Sequence, residues 1–138
     1  MSTRTNVVGE SLEAEFTKHS DAEWVFLRGL GNWGDDLLFA GAEALATRLG
    51  LNWRDIPFSE FASAELPEDA CIYVQGGGGL NSWSSGQCIT NLRNACANRV
   101  RLGVQGPASV GGEPDFVANM MRETIGNANC REIVFFAR

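Results

Sequence analysis

One histidine and one lysine occur in this 138-residue chain, and the scarcity of each narrows the chemistry open to it. A single histidine, His19, excludes a multi-histidine metal site, and no Ser-His-Asp triad is expected around it. A lone histidine near a terminus reads first as a surface residue, with general acid or base work as its alternative role. The 11 basic residues include Lys18 as the single lysine, no basic run appears, and the net charge is -6. Duplex nucleic acid attracts concentrated positive charge, so it is not an expected partner. No apolar stretch approaches the roughly 18 residues that a membrane span needs. The amino-terminal segment holds Glu10, Glu13 and Glu15 and lacks the apolar centre of a signal peptide. A soluble, cytoplasmic chain is expected. Cys71, Cys88, Cys96 and Cys130 show no C-x-x-C spacing, so the thiols read as small buried hydrophobes rather than as zinc ligands or disulfides. No metal and no cofactor is expected.

What is present is a hydrophobic fraction of 44%, enough to bury one core in a chain of single-domain length. Residues 1–9 read as frayed, and Glu10 to Lys18 as a short helix with Leu12 and Phe16 at i,i+4. Trp24–Leu27 predicts a first strand. Leu38, Ala42, Leu45 and Leu49 then recur as one helical stripe, stopped by Gly50. Leu51 to Phe58 predicts a shorter strand broken by Pro57, and Cys71–Val74 a buried one. Ser84 and Gln87 have the spacing of a capping box, ahead of Cys88, Ile89, Leu92, Ala95 and Cys96 at helical spacing. Val100 to Gln105 predicts a fourth strand, ended by Gly106-Pro107. Pro114 opens a helix carrying Phe116, Val117, Met120, Met121 and Ile125, closed by Gly126, and Ile133–Phe136 makes a fifth strand. Near-continuous apolar strands separated by helical crossovers predict an α/β domain: three layers, Rossmann-like, with a mostly parallel sheet of about five strands.

Two glycine-bearing loops follow strands, where open parallel sheets bind ligands. The second, Gly76-Gly77-Gly78-Gly79-Leu80-Asn81, holds more glycine than a turn needs. Bare backbone of this kind permits positive φ and close approach of another group; it equally serves close helix–strand packing. The first loop includes Gly29-Leu30-Gly31-Asn32-Trp33-Gly34, which matches the G-x-G-x-x-G dinucleotide fingerprint, with Asp55 at the usual distance for a ribose contact. Asp35 and Asp36 oppose that reading, because two carboxylates stand where a pyrophosphate would meet the helix N-terminus. A dinucleotide-binding oxidoreductase domain therefore stays as an alternative, beside a non-catalytic module that binds a saccharide or a protein.

Taken from Gly31 onward, the first loop reads Gly31-Asn32-Trp33-Gly34-Asp35-Asp36-Leu37-Leu38. Together with Gly76–Asn81, it resembles the G-N-x-G-D-x-L-[LI] and G-G-G-x-[LF] loops of the polysaccharide pyruvyl transferase family. The likeness continues through Leu102-Gly103-Val104-Gln105-Gly106-Pro107 and through Ile133-Val134-Phe135-Phe136-Ala137-Arg138, and so covers about Trp24 to Arg138. It implies a ketal-forming transferase of cell-surface or exopolysaccharide biosynthesis. Such an enzyme moves pyruvate from phosphoenolpyruvate onto a hydroxyl pair of a sugar acceptor. Family enzymes have two domains, and the likeness covers the first. It therefore implies an amino-terminal half, inactive by itself and prone to self-association. Ser82 stands where relatives often carry an acid.

The reaction needs a base for the attacking hydroxyl, an acid for the enol carbon and donors for the carboxylate and departing phosphate. On the resemblance, Asp35 is the candidate base or hydroxyl anchor. Asn32 and Asn81 would hold hydroxyls, and Trp33 or Trp83 would stack on a sugar face. Gly31, Gly34, Asp36 and Gln105 complete the lining, and the backbone amides of Gly77, Gly78, Gly79 and Leu80 would receive an anionic group. Arg138 is the candidate cation. Each has a plain structural reading as well: Asp35 as a helix-capping acid, the tryptophans as covers for the sheet end, and Arg138 as a terminal residue.

Overall fold

The computed structural model describes residues 4–6, 11–29, 33–80, 87–97 and 100–137. Strand and helix alternate: β1 (Arg4–Asn6), α1 (Leu12–Lys18), β2 (Glu23–Arg28), α2 (Trp33–Arg48), β3 (Asn52–Pro57), a 3-10 turn (Phe58–Ser63), β4 (Cys71–Val74), β5 (Gly77–Leu80), α3 (Gln87–Cys96), β6 (Leu102–Val110), α4 (Pro114–Gly126) and β7 (Glu132–Ala137). The sheet order is β1-β7-β6-β4-β2-β3, with β5 also paired to β6. Every pairing is parallel.

Trp24 to Leu27 and Cys71 to Val74 are buried without a break, because both faces of the sheet are covered. Alternation sorts them. Trp24, Phe26, Cys71, Tyr73, Leu102 and Val104 pack with Phe16 of α1 and with Phe39, Ala42 and Ala46 of α2. Val25, Leu27, Ile72, Val74 and Ile133 pack with Leu92, Ala95 and Cys96 of α3. Val117 of α4 joins Ile89 and Ala108 on that second side. The architecture is the three-layer, Rossmann-like α/β fold expected from the sequence. Cys71, Cys96 and Cys130 are fully buried thiols outside any disulfide. A Cβ on Gly103 would collide with Cys96 Sγ, so that glycine sets how closely α3 approaches β6.

The helix ends follow local chemistry. Ser11 Oγ accepts from the Ala14 amide at 3.1 Å, an N-cap that opens α1. At the end of α2, Gly50 takes φ +71, while Leu51 N donates to Ala46 O and Gly50 N to Thr47 O, both at 3.0 Å. This is the Schellman pair of bonds, and it needs a left-handed residue at that point. The α2 stripe is rotated from the expected one. Phe39, Ala42 and Ala46 form its buried line, while Leu38, Leu45 and Leu49 are half-buried. The Ser84–Gln87 capping box lies outside the described residues, since Ser84 does.

The five strands read from sequence are present as β2, β3, β4, β6 and β7, and two short strands, β1 and β5, extend the sheet to seven among the described residues. Arg4–Asn6, read from sequence as frayed, pairs with β7 from Arg4 opposite Glu132 to Asn6 opposite Val134. Its three polar residues carry no periodic signal, so only the exposed ladder of β7 reveals it. Gly77–Leu80 lacks the β-branched and aromatic residues that mark strands, yet it continues the line of β4 and pairs with the far half of β6. That far half is a further difference. Strand β6 does not end at Gly106-Pro107 but runs on to Val110, with a register shift between Gln105 and Ala108. Proline lacks an amide donor, and a break in register is where a strand tolerates it.

Charges lock the amino-terminal ends of the strands. Arg101 donates to Asp21 at 2.8 and 3.2 Å and to Asp69 at 2.8 and 3.3 Å, and Arg131 reaches Asp69 at 3.3 Å. Asp69 sits at φ +63, a conformation that Asp tolerates better than most residues. The hydrogen bonds from Arg101 hold the Asp21 and Asp69 carboxyls below the usual carboxylate range. Depressed folded values mean that this stabilisation is present above the unfolded value of about 3.9 and is lost as pH falls through the folded ones. Arg101→Ala should lower Tm at pH 7 by about 3–5 °C, since exposed partners limit the effect. It should also flatten the fall in Tm below pH 4, and melts recorded from pH 3 to 7 test both.

Candidate functional site

The chain leaves β2 toward β3 on one side of the sheet, then crosses β2 to place β4 on the other. Connections that diverge in this way open a crevice at the carboxyl ends of the two strands, the switch point where ligands of open α/β sheets bind. Gly29 closes β2 there, and Gln75-Gly76 closes β4. Gln75 N donates to Leu27 O at 3.0 Å, one rung beyond the last β4 residue. Its side chain then turns back, and Oε1 accepts from Gly29 N at 2.8 Å. Gln105, opposite Val74 on β6, donates through Nε2 to Gln75 O at 3.3 Å and to Gly106 O at 3.4 Å.

The glycines of this crest have specific occupants where a Cβ would stand. At Gly76 they are the carbonyls of Gly106 and Pro107, and at Gly106 the phenol end of Tyr73 and the Val74 carbonyl. At Gly77, which takes φ +105, the occupant is the carboxylate of Asp35. Asp35 lies in the first turn of α2, so this contact joins the loop after β2 to the strand after β4. The two glycine-bearing segments that follow strands β2 and β4 are adjacent through this contact. The carboxylate beside Gly77 also makes that end of β5 a poor seat for a second anion.

The other candidate residues divide into three groups. Gly76 is partly exposed, Gly77 is buried, and Gly78, Gly79 and Leu80 continue as β5. Gly34 and Asp36 are exposed on the first turn of α2, and Gln105 is wholly buried. Gly31, Asn32, Asn81 and Arg138, with Trp83, lie outside the described residues. Trp33 is 93% exposed and, one turn on, Leu37 is 76% exposed. Trp33 therefore does not cover the sheet end, as its plain structural reading would have it; its ring is open to solvent at the start of α2.

Two residues change standing. His19 is at the opposite end of the sheet, beside the amino-terminal ends of the strands. Its carbonyl accepts from Trp24 Nε1 at 3.0 Å, and its charged neighbours include Arg101 and Glu132, at the starts of β6 and β7. Burial lowers its pKa, and its position removes it from acid–base work at the crest. Gln75, not singled out from sequence as a site residue, binds the two loops together. The available signal was a polar residue at the end of an otherwise apolar strand.

Arg28, at the end of β2, lies 4.9 Å from the Phe39 ring centroid and donates to Glu43 at 3.1 Å and Asp55 at 3.3 Å. The acid that a dinucleotide would need for its ribose is thus engaged by an arginine. Burial raises the Glu43 pKa against the opposing pull of Arg28. Among the described residues no group of three or more His, Cys, Asp and Glu forms a metal site, and no helix is long and apolar enough to cross a membrane. Comparison with protein-family models, curated proteins and solved structures returned no match for this chain.

The Asp35–Gly77 contact generates a coupled prediction. Gly77→Ala should destabilise by about 2 kcal/mol, from positive φ and from displacement of the carboxylate. Asp35→Ala in the same chain should recover about 1 kcal/mol of this, because the collision goes and the φ strain stays. Urea unfolding of the parent, both single variants and the double variant measures the coupling; additive effects would separate the two residues.

Proposed function

We propose that the crest between β2 and β4 binds a saccharide acceptor, and that the protein acts as a polysaccharide pyruvyl transferase-like enzyme in cytoplasmic assembly of a cell-surface polymer. One observation carries the reading: the carboxylate of Asp35 lies on Gly77, so the two loops that bear the family likeness meet in space. A carboxylate, neighbouring amides and an exposed indole are groups that recognise a sugar. The carboxylate accepts from hydroxyls, amides donate and accept, and the Trp33 ring offers an apolar face to the C–H side of a pyranose.

In the transfer itself, two hydroxyl oxygens of the acceptor bond to C2 of phosphoenolpyruvate. The C2–O bond to phosphate breaks, the methylene carbon gains a proton, and inorganic phosphate leaves. Asp35 would accept the proton of an attacking hydroxyl or anchor it. Cations that neutralise the donor belong, by the resemblance, to the domain it does not cover, so acceptor binding is the property expected of these residues by themselves.

Asp35→Asn should weaken binding of a neutral glycoside at least about tenfold while moving Tm by less than about 2 °C, since Asn keeps the size of the side chain and only a first-turn charge of α2 is lost. In a protein carrying both domains of the family, the same change should abolish phosphate release from phosphoenolpyruvate in the presence of acceptor. NADH binding by a chain indifferent to glycosides would instead establish the dinucleotide reading.

A further inference from the structure

Two buried glutamines at the crest each leave one polar atom without a hydrogen-bond partner among the described residues: Gln75 Nε2 and Gln105 Oε1. Gln75 is 3% exposed and Gln105 is 0% exposed. Their amide orientations are set by what the other half of each amide touches. Gln75 Oε1 faces the Gly29 N–H, which only an acceptor satisfies. Gln105 Nε2 faces the carbonyls of Gln75 and Gly106, which only a donor satisfies. The remaining atoms are therefore a donor on Gln75 and an acceptor on Gln105, in two residues already bonded to each other. Buried polar groups are rarely left unmade, and a place where they are is a candidate for an absent partner.

We infer that these two amides form the seat for one neutral hydroxyl of the ligand. The inference deepens the saccharide reading above and rests on it. A hydroxyl accepts from Gln75 Nε2 through a lone pair and donates its proton to Gln105 Oε1. A phosphate or carboxylate accepts only; it satisfies Gln75 but sets an anion against the Gln105 oxygen and near Asp35. An ammonium donates only and leaves Gln75 unmet. The seat thus selects the acceptor alcohol over either anionic end of phosphoenolpyruvate. Gly29, which donates to the Gln75 amide, and Gly76, which follows Gln75 in the chain, are partly exposed, so the ligand approaches across bare backbone. Shielding from bulk water strengthens a hydrogen bond made there.

The experiment follows the side-chain amide resonances of Gln75 and Gln105 in the full 15N-labelled chain, assigned by through-bond correlation. The chain is titrated with methyl β-D-glucopyranoside and separately with inorganic phosphate. Both glutamine resonances should shift saturably with the glycoside and stay still with phosphate. Gln75→Met should weaken glycoside binding about tenfold, the loss expected for a buried donor together with the ordering of Gly29. Glycoside shifts at Gly77 and Asp35 without shifts at the glutamine amides would overturn the seat and leave the saccharide reading standing. No glycoside response anywhere would remove both. A response to phosphate at the glutamines would reverse the assignment. The titration of the parent chain decides among these outcomes even if Gln75→Met does not fold.

Discussion

The bare Cα of Gly77 lets the Asp35 carboxylate lie against β5, and the crest of the sheet depends on that contact. Strand β2 stops at Arg28, while the line of β4 continues through Gln75 and Gly76 into β5. Beyond Arg28 the sheet has lost a neighbour on one side, and backbone groups freed in this way must find partners. Here the Gln75 side chain takes the Gly29 amide, and the first turn of α2 moves into the place a strand would hold. Any side chain at position 77 would displace that carboxylate and strain a backbone held at φ +105.

The two ends of the sheet are built on different principles. At the amino-terminal end, Arg101 gathers Asp21 and Asp69, and Arg131 adds to Asp69, so opposite charges are matched. At the carboxyl end Asp35 lies on Gly77, and among the described residues Gln75 Nε2 and Gln105 Oε1 have no hydrogen-bond partner, as His19 Nε2 has none at the other end. An unmade buried hydrogen bond costs about 1–3 kcal/mol. Such local cost concentrates where a protein binds, because a site complete without its ligand has nothing to offer one. The same division explains why the single histidine, placed among the structural charges, does not contribute to the crest.

Much of the fold was legible because its signals are local. Trp24–Leu27 and Cys71–Val74 are apolar without alternation, which marks strands covered on both faces. Pro114 and Gly126 bracket α4 as expected, and Gly50 ends α2. Less legible were elements whose existence depends on a distant neighbour. Arg4–Asn6 has no apolar pattern, and four residues of Gly77–Leu80 read as loop until β6 is seen running past Pro107. The stripe on α2 shifted to Phe39 and Ala46 because the neighbouring Trp24, Phe26 and Tyr73 rings decide which face fits.

By itself the sequence determined the α/β class, the order of strands and helices and the two glycine-bearing loops that follow β2 and β4. Those follow from hydrophobic period and from residues with restricted or permissive backbones, properties each segment carries alone. Tertiary structure decided that Asp35 meets Gly77, that Gln75 ties the loops, that Trp33 is open and that His19 is remote. Each depends on which strands become neighbours and where each strand stops, and no segment carries that information without its partners.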